Sequence, residues 1–133
     1  MIVVDANVLI YLWVPGYDKL SPELLMADPE WHAPVIWLSE VRNVLLTHYR
    51  HRLIGEDDVL KTMSKIERQM LQNTHVVTSA EVFRVGLKYG ISAYDGEYVS
   101  LARRLQVQLI THDHRLIKAI PDVAIPPEAF VGK

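Results

Sequence analysis

The sequence contains no cysteine, no long hydrophobic run and no excess of positive charge. Without cysteine there can be no disulfide, thiolate zinc site, iron–sulfur cluster or cysteine nucleophile. No apolar stretch approaches the ~18 residues that a membrane-spanning helix needs. The N-terminus also lacks the basic region and cleavage motif of a signal peptide. We therefore expect a protein without membrane association, located in the cytoplasm.

The charge balance limits how the protein could bind nucleic acid. Sixteen acidic residues against fourteen Lys and Arg give a formal net charge of −2. Proteins that hold nucleic acid by charge alone are usually basic. A nucleic-acid function would therefore have to depend on a local patch or on bound metal ions.

The length and composition are those of one globular domain. The chain has 133 residues, of which 50% are hydrophobic and 23% are charged. Domains of ~100–150 residues are the commonest size and can bury a core of their own. We expect a single domain over residues 1–133, and the composition excludes a disordered or collagen-like chain.

Short strands and helices are predicted to alternate along the chain. A β-branched run that ends abruptly is typical of a buried strand, and Ser or Gly at the ends of periodic segments marks helix boundaries. The pattern predicts a parallel sheet with helices on both faces, in which ligands bind outside the carboxyl ends of the strands. The predicted strands are 2–4, 31–34, 74–77, 107–110 and a small edge strand at 123–125. The predicted helices are 7–14, 22–26, 35–50, 56–72, 79–89, 93–105 and 114–119. Ser21, Ser79 and Ser92 are the predicted N-caps, and Gly90 follows the end of a predicted helix.

Three aspartates fall at the ends of these elements. Asp5 directly follows the first strand, Asp113 follows the fourth, and Asp95 lies in the first turn of a helix. Taken singly, Asp5 and Asp113 could each be only a helix cap, and Asp95 could be only an acid that favours a helix N-terminus. Taken together, Asp5 and Asp113 are expected at the same edge of the sheet.

A glutamate inside the third predicted helix adds a fourth carboxylate. Glu40 borders the apolar arc of that helix, and Asn43 and Thr47 follow on its side. This stripe could face the rim of a cleft, or it could be the solvated edge of a surface helix.

Four carboxylates at one edge would repel one another and need a cation to neutralise them. Ligand sets made only of oxygen favour Mg²⁺ or Mn²⁺ over zinc. Such ions lower the pKa of water and stabilise charge that develops on a phosphoryl group. The cluster therefore favours a phosphodiester as the substrate.

Four segments carry a resemblance to a known family. They read IVVDANVL at 2–9, SEVRNVL at 39–45, SAYDGEYVSLA at 92–102 and LITHDHRL at 109–116. In this order and spacing, the chain resembles the PIN-domain ribonucleases and, among them, the VapC-type toxins of toxin–antitoxin pairs. Two departures are Gly96, where the family usually has alanine, and the additional acid Glu97. Neither departure removes a ligand.

The resemblance implies the following site and function. Asp5, Glu40, Asp95 and Asp113 match the catalytic acidic quartet that binds Mg²⁺ or Mn²⁺, and Asn7 and Thr111 match supporting polar positions. The implied fold is a three-layer α/β/α domain with a central parallel sheet of about five strands. The implied protein is a metal-dependent endoribonuclease that acts as the toxin of a type II toxin–antitoxin system. It would form a homodimer and be inhibited by a small antitoxin of the VapB type.

The sequence is also compatible with two other functions. A strand followed by Asp5-x-Asn7 partly resembles the opening of aspartate-nucleophile phosphatases, but the second acid of that motif is missing. A non-catalytic RNA- or protein-binding PIN-like domain is the second alternative. His112 and His114 flank Asp113, and His112 is a candidate for contact with a substrate.

Overall fold

The computed structural model describes residues 1–17 and 20–132 and consists of short strands that alternate with helices. The strands are β1 (Ile2–Val4), β2 (Trp31–Pro34), β3 (Thr74–His75), β4 (Leu109–Ile110) and β5 (Ala124–Ile125). The helices are α1 (Ala6–Trp13), α2 (Ser21–Ala27), α3 (Trp37–Arg50), α4 (Glu56–Met70), α5 (Ser79–Tyr89), α6 (Ala93–Leu105), α7 (His114–Ala119) and α8 (Pro127–Val131), and a 3₁₀ turn at Leu71–Asn73 follows α4.

The five strands form one parallel sheet in the order β3-β2-β1-β4-β5. The predicted α/β architecture with a central parallel sheet is confirmed. The chain builds one half of the sheet from β1 to β3 and the other half from β4 and β5. The strand order therefore reverses between β1 and β4, and in open α/β sheets the ligand crevice lies outside the carboxyl ends at such a point.

The core lies against this central pair of strands. Every residue of β1 is buried, as its β-branched sequence predicts for a strand covered on both faces. Trp31 on β2 and Trp37 at the start of α3 are both at most 1% exposed. These aromatic side chains fill the core.

The predicted N-cap of α2 is wrong by one residue. Leu20 holds the cap position with a φ of 65°, and Ser21 is the first residue of the helix. The Ser21 hydroxyl donates to the carbonyl oxygen of Val8 at 2.8 Å. A tertiary hydrogen bond to α1 therefore replaces the local capping bond that the sequence suggested.

The predicted N-cap of α5 is also shifted. Thr78, and not Ser79, caps this helix, and Thr78 and Glu81 form a reciprocal capping box. The other two predicted boundary residues are confirmed: Gly90 ends α5 with a φ of 66°, and the Ser92 hydroxyl caps α6.

Helix α8 was not predicted. It begins at Pro127, directly after the edge strand β5. The strand predicted at 74–77 is limited to Thr74–His75, and the strand predicted at 107–110 is limited to Leu109–Ile110. Within the described ranges, no helix has the length and apolarity needed to cross a membrane.

Gly96 lies where α6 packs closely on α5. A Cβ atom at this position would lie 3.1 Å from Val82 Cγ1 and 3.4 Å from the Val82 carbonyl oxygen. The absence of a side chain thus permits the two helices to approach each other, in addition to lowering the intrinsic helix propensity of α6.

Candidate active site

The site is built around Asp5, at the carboxyl end of the central strand. Its backbone N–H donates to the Ile110 carbonyl oxygen at 2.9 Å, which extends the β1–β4 pairing by one residue. One carboxylate oxygen accepts from the Ala6 N–H at 2.7 Å, and the other accepts from the Thr111 hydroxyl at 2.7 Å. Asp5 therefore caps α1 and also lies at the point where the strand order reverses.

Thr111 connects two of the predicted acidic residues. Its side chain is fully buried. The Thr111 hydroxyl donates to Asp5, and the same hydroxyl oxygen accepts from the Asp113 backbone N–H at 3.0 Å. Asp113 in turn accepts from the backbone N–H groups of Arg115 and Leu116, at 3.0 and 3.3 Å. Asp113 is thus a helix cap that is also held at the acidic edge.

Helix α6 positions Asp95, and α3 positions Glu40. The Asp95 backbone N–H donates to the Ser92 hydroxyl oxygen, which fixes the first turn of α6. One helical turn further on, the buried Tyr98 hydroxyl donates to Glu40 at 2.6 Å. Residues three apart share a helix face, so α6 presents Asp95 and Tyr98 toward the same region.

The pKa values of these groups reflect a shared negative field. Burial raises the pKa of Asp5 from its ordinary value of 3.8 to about 6, and the charges of Asp95 and Asp113 act in the same direction. Burial also raises the pKa of Glu40, with smaller effects from Asp5 and Asp95. The pKa of Asp95 is raised by burial and by Asp113. The four predicted acids thus interact electrostatically.

Two further charges modify this field. Glu97 contributes to raising the pKa of Glu40, so this additional acid acts on the site and does not merely face solvent. Arg115 is the opposing charge, because it lowers the pKa of Asp95. Asp95, Asp113 and Arg115 also share the walls of a cavity of about 360 Å³ between the α5–α6 loop and α7.

The chemistry of the donor set fits a hard divalent cation. All four predicted acidic ligands offer oxygen, and the amide oxygen of Asn7 is buried without a hydrogen-bond partner two residues after Asp5. Within residues 1–17 and 20–132, however, no three His, Asp or Glu side chains are already placed to hold one ion. Mg²⁺ usually keeps several waters and binds proteins through only one or two carboxylates. A pair of these acids is therefore a sufficient direct ligand set.

Sequence reasoning did not assign roles to Tyr98 and Arg115. Tyr98 follows Asp95 by three residues, and this helical spacing was the available signal. Arg115 follows Asp113 by two residues, but nothing in the sequence shows that it faces Asp95. Asn43 and Thr47, which follow Glu40 on its side of α3, are both exposed, and the Thr47 hydroxyl donates to the Asn43 carbonyl oxygen.

Comparison with known proteins gives concordant matches. The family model described as PIN domain matches residues 2–121. The chain is 28% identical over 129 residues to Ribonuclease VapC3 of Pyrobaculum aerophilum, covering 94% of this chain and 98% of that protein.

The fold is similar to those of solved structures over nearly the whole chain. The crystal structure of PAE2754 from Pyrobaculum aerophilum has a TM-score of 0.77 at 18% identity, with 98% of this chain and 86% of that chain covered. A chain of a toxin–antitoxin complex from Klebsiella pneumoniae has a TM-score of 0.72 at 17% identity, with 96% of this chain and 98% of that chain covered.

Proposed function

The chain belongs to the PIN domain family, and from this premise we propose that it is a metal-dependent endoribonuclease, the toxin of a type II toxin–antitoxin system. The observation that carries the proposal is the link from Asp113 through the Thr111 hydroxyl to Asp5, at the point where the strand order reverses. Asp95 and Glu40 lie within the electrostatic field of the same edge. The relative named Ribonuclease VapC3 supports the choice of RNA as the substrate.

The proposed cofactor is Mg²⁺, with Mn²⁺ as a substitute, held by Asp5, Asp95 and Asp113 directly or through water. When bound, such an ion neutralises charge on the phosphoryl oxygens and lowers the pKa of water. The reaction we propose is hydrolysis: water oxygen bonds to phosphorus, the bond to the 3′ oxygen breaks, and the products carry a 5′-phosphate and a 3′-hydroxyl.

The side chains of the protein have distinct roles in this proposal. Asp5 is held by two donors, so its orientation is fixed before substrate binds. Glu40 is held by Tyr98, and its half-buried carboxylate orients water. Asn7 supplies an additional uncharged acceptor, and Thr111 is a positioning residue for Asp5.

The partners we propose follow from the family and from the neighbours in structure. The fold matches a toxin–antitoxin complex over most of both chains, which supports a small antitoxin of the VapB type as the inhibitor. We also propose a homodimer in which each single domain of residues 1–133 carries its own site. RNA and antitoxin would both be met in the cytoplasm, the location that we propose.

The proposal is tested by incubating antitoxin-free protein with total cellular RNA in the presence of Mg²⁺, Mn²⁺ or EDTA. The Asp95→Asn variant is the test of the site, and Asp57→Asn is the matched control because Asp57 lies in the exposed first turn of α4. Fragments that need the metal, are produced by Asp57→Asn and are absent with Asp95→Asn would support the function. End mapping of the fragments would check the predicted 5′-phosphate.

Two outcomes would contradict the proposal. Equal cleavage by wild type and Asp95→Asn would show that the activity does not come from this site. An absence of cleavage by folded wild-type protein with either metal would favour the non-catalytic binding domain instead.

A further inference from the structure

A second cavity adjoins Asp113 through the two histidines that flank it. It has a volume of about 260 Å³ and is lined by Tyr11, His112, His114, Pro126 and Glu128. These residues come from α1, the β4–α7 segment and the start of α8, so the cavity exists only in the folded protein. None of its lining residues belongs to the acidic quartet.

Aromatic rings form one wall of this cavity. The Tyr11 ring lies 4.8 Å from the His112 ring, measured between centroids, with 51° between their planes. The Tyr11 ring also stacks on Tyr17, with centroids 4.4 Å apart and 27° between planes. Contacts with two neighbouring rings restrict the rotation of the Tyr11 ring, which makes this wall a preformed surface for a flat ligand.

The cavity also lies close to the proposed reaction centre. His112 and His114 directly flank Asp113, and Tyr11 follows Asn7 by one helical turn on the same face of α1. A nucleotide strand whose phosphate lies at the acidic edge could therefore place a neighbouring base in this cavity.

Glu128 is the acidic residue of the cavity lining. It lies in the first turn of α8 and is exposed. Among the residues that the structure describes, its carboxylate receives no hydrogen bond and forms no ion pair. A free carboxylate in the cavity repels phosphate, whereas it accepts hydrogen bonds from N–H groups at the edge of a base.

We propose that this cavity binds one unpaired base of the RNA and that Glu128 favours guanine. This inference rests on the proposed ribonuclease function and adds a base preference to it. Single-stranded RNA is recognised by stacking of bases on aromatic and histidine side chains and by hydrogen bonds to their edges. Guanine presents two parallel donors, N1–H and the N2 amino group, which match the two oxygens of a carboxylate. Uracil, adenine and cytosine each present only one donor group on that edge.

The binding test uses wild-type protein in EDTA, so that RNA is not cleaved, and short fluorescent oligouridylates with one central guanine, inosine, adenine or cytosine. Inosine keeps N1–H and lacks only the amino group. We expect guanine to bind roughly tenfold more tightly than inosine, since a hydrogen bond to a charged group is worth about 1.4 kcal/mol or more. Fluorescence anisotropy gives the dissociation constants.

Variants test the contributions of the Glu128 carboxylate and the Tyr11 ring separately. Glu128→Gln should reduce the guanine-to-inosine ratio to within about twofold, whereas Glu56→Gln, an exposed first-turn glutamate of α4, should leave it unchanged. Tyr11→Leu should weaken binding of all oligonucleotides by roughly tenfold, because stacking on an aromatic ring is worth ~1–3 kcal/mol per base, and Tyr11→Phe should restore it. Phe83→Leu is the control for loss of an exposed ring elsewhere.

Equal affinity for guanine and inosine in the wild type, or wild-type affinity in Tyr11→Leu, would overturn the inference. A cleavage assay in Mg²⁺ on the same oligonucleotides distinguishes its failure from that of the proposed function. Cleavage without any base preference would support the ribonuclease function and contradict guanine binding in the cavity. A guanine preference that depends on Glu128, found in a protein that cleaves no RNA, would support base binding in the cavity and contradict the ribonuclease function.

Discussion

The Thr111 hydroxyl donates to the Asp5 carboxylate at 2.7 Å and joins residues that are 106 positions apart. This bond exists because β1 and β4 are parallel neighbours whose carboxyl ends meet. The same hydroxyl oxygen accepts from the Asp113 backbone N–H. One buried side chain thus sets the positions of two acidic residues.

Replacing Thr111 with valine should therefore damage both the fold and the site. Thr111→Val keeps the side-chain volume but leaves the buried Asp5 oxygen and the Asp113 N–H without partners. We expect the free energy of unfolding to fall by roughly 1–3 kcal/mol. We also expect RNA cleavage to fall at least tenfold, since the orientation of Asp5 is lost. Urea denaturation and a cleavage time course measure the two effects.

Thr111→Ser is the control, because it keeps the hydroxyl and loses one methyl group. It should retain most of the activity. If serine and valine were equally inactive, the hydroxyl would not be the feature that positions Asp5.

The raised pKa of Asp5 predicts how the metal-free protein responds to pH. Burial raises this pKa from 3.8 to about 6, so the folded state binds a proton more readily than the unfolded state between these values. Stability in EDTA should therefore rise as the pH falls through about 6 toward 4, and the ionised carboxylate costs stability at neutral pH.

Asp5→Asn removes this cost. In EDTA at pH 7.5 we expect the variant to be ~1–3 kcal/mol more stable than the wild type, with the difference disappearing near pH 4. Adding Mg²⁺ should stabilise the wild type and have little effect on the variant. Thermal or urea denaturation at three pH values checks this. The prediction would be contradicted if the stability of the wild type in EDTA fell as the pH was lowered from 6 to 4.5 while that of Asp5→Asn did not.

Much of the fold and the position of the acids could be predicted from the sequence. The β-branched run at 2–4 and the alternation of strands and helices indicate a parallel sheet, and strand ends then place Asp5 and Asp113 at one edge. A prediction from the local sequence pattern was wrong where a tertiary contact takes the place of a local one. Ser21 forms a hydrogen bond to α1 and does not cap α2. Helix α8 had a usable signal, since proline is favoured at the first helical position.

The partners of the acids could not be read from the sequence. Tyr98 and Glu40 are 58 residues apart, and only the tertiary fold brings them close enough to form a hydrogen bond. Arg115 and Asp95 likewise line one cavity only because the α5–α6 loop and α7 both face it. These contacts depend on how the layers pack, which local periodicity does not specify.

Tyr98→Phe tests the role of the hydrogen bond to Glu40. Tyr98 is buried, which raises the pKa of its hydroxyl well above the ordinary value, so the hydroxyl stays protonated and donates. Its bond to Glu40 lowers the pKa of that carboxyl. Removal of the hydroxyl should raise the pKa of Glu40 and move the acidic limb of the cleavage-rate profile to higher pH.

The control for this prediction is Tyr49→Phe, on the exposed last turn of α3. It should leave the pH profile unchanged. A purely structural role for Tyr98 would lower the rate equally at all pH values without moving the limb, and that result would contradict the positioning role.

Gly96 allows a double-mutant test of the contact between α5 and α6. Alanine would gain up to about 1 kcal/mol of helix propensity in α6, but its Cβ would lie 3.1 Å from Val82 Cγ1. Overpacking of this kind costs ~1–3 kcal/mol, so we expect Gly96→Ala alone to lower the free energy of unfolding. In a Val82→Ala background the obstructing methyl group is absent, and the same change should raise the free energy of unfolding by up to about 1 kcal/mol.

The sign reversal between the two backgrounds is the decisive result, because helix propensity alone predicts the same gain in both. If Gly96→Ala stabilised the wild type as much as it stabilised Val82→Ala, the close approach of the helices would not be the reason for glycine. Urea denaturation of the four proteins gives the coupling free energy directly. Cleavage activity provides a second readout, since α6 carries Asp95 one residue before Gly96. A helix displaced by the added methyl group should therefore lose activity as well as stability, and in the Val82→Ala background the same Gly96→Ala change should reduce neither.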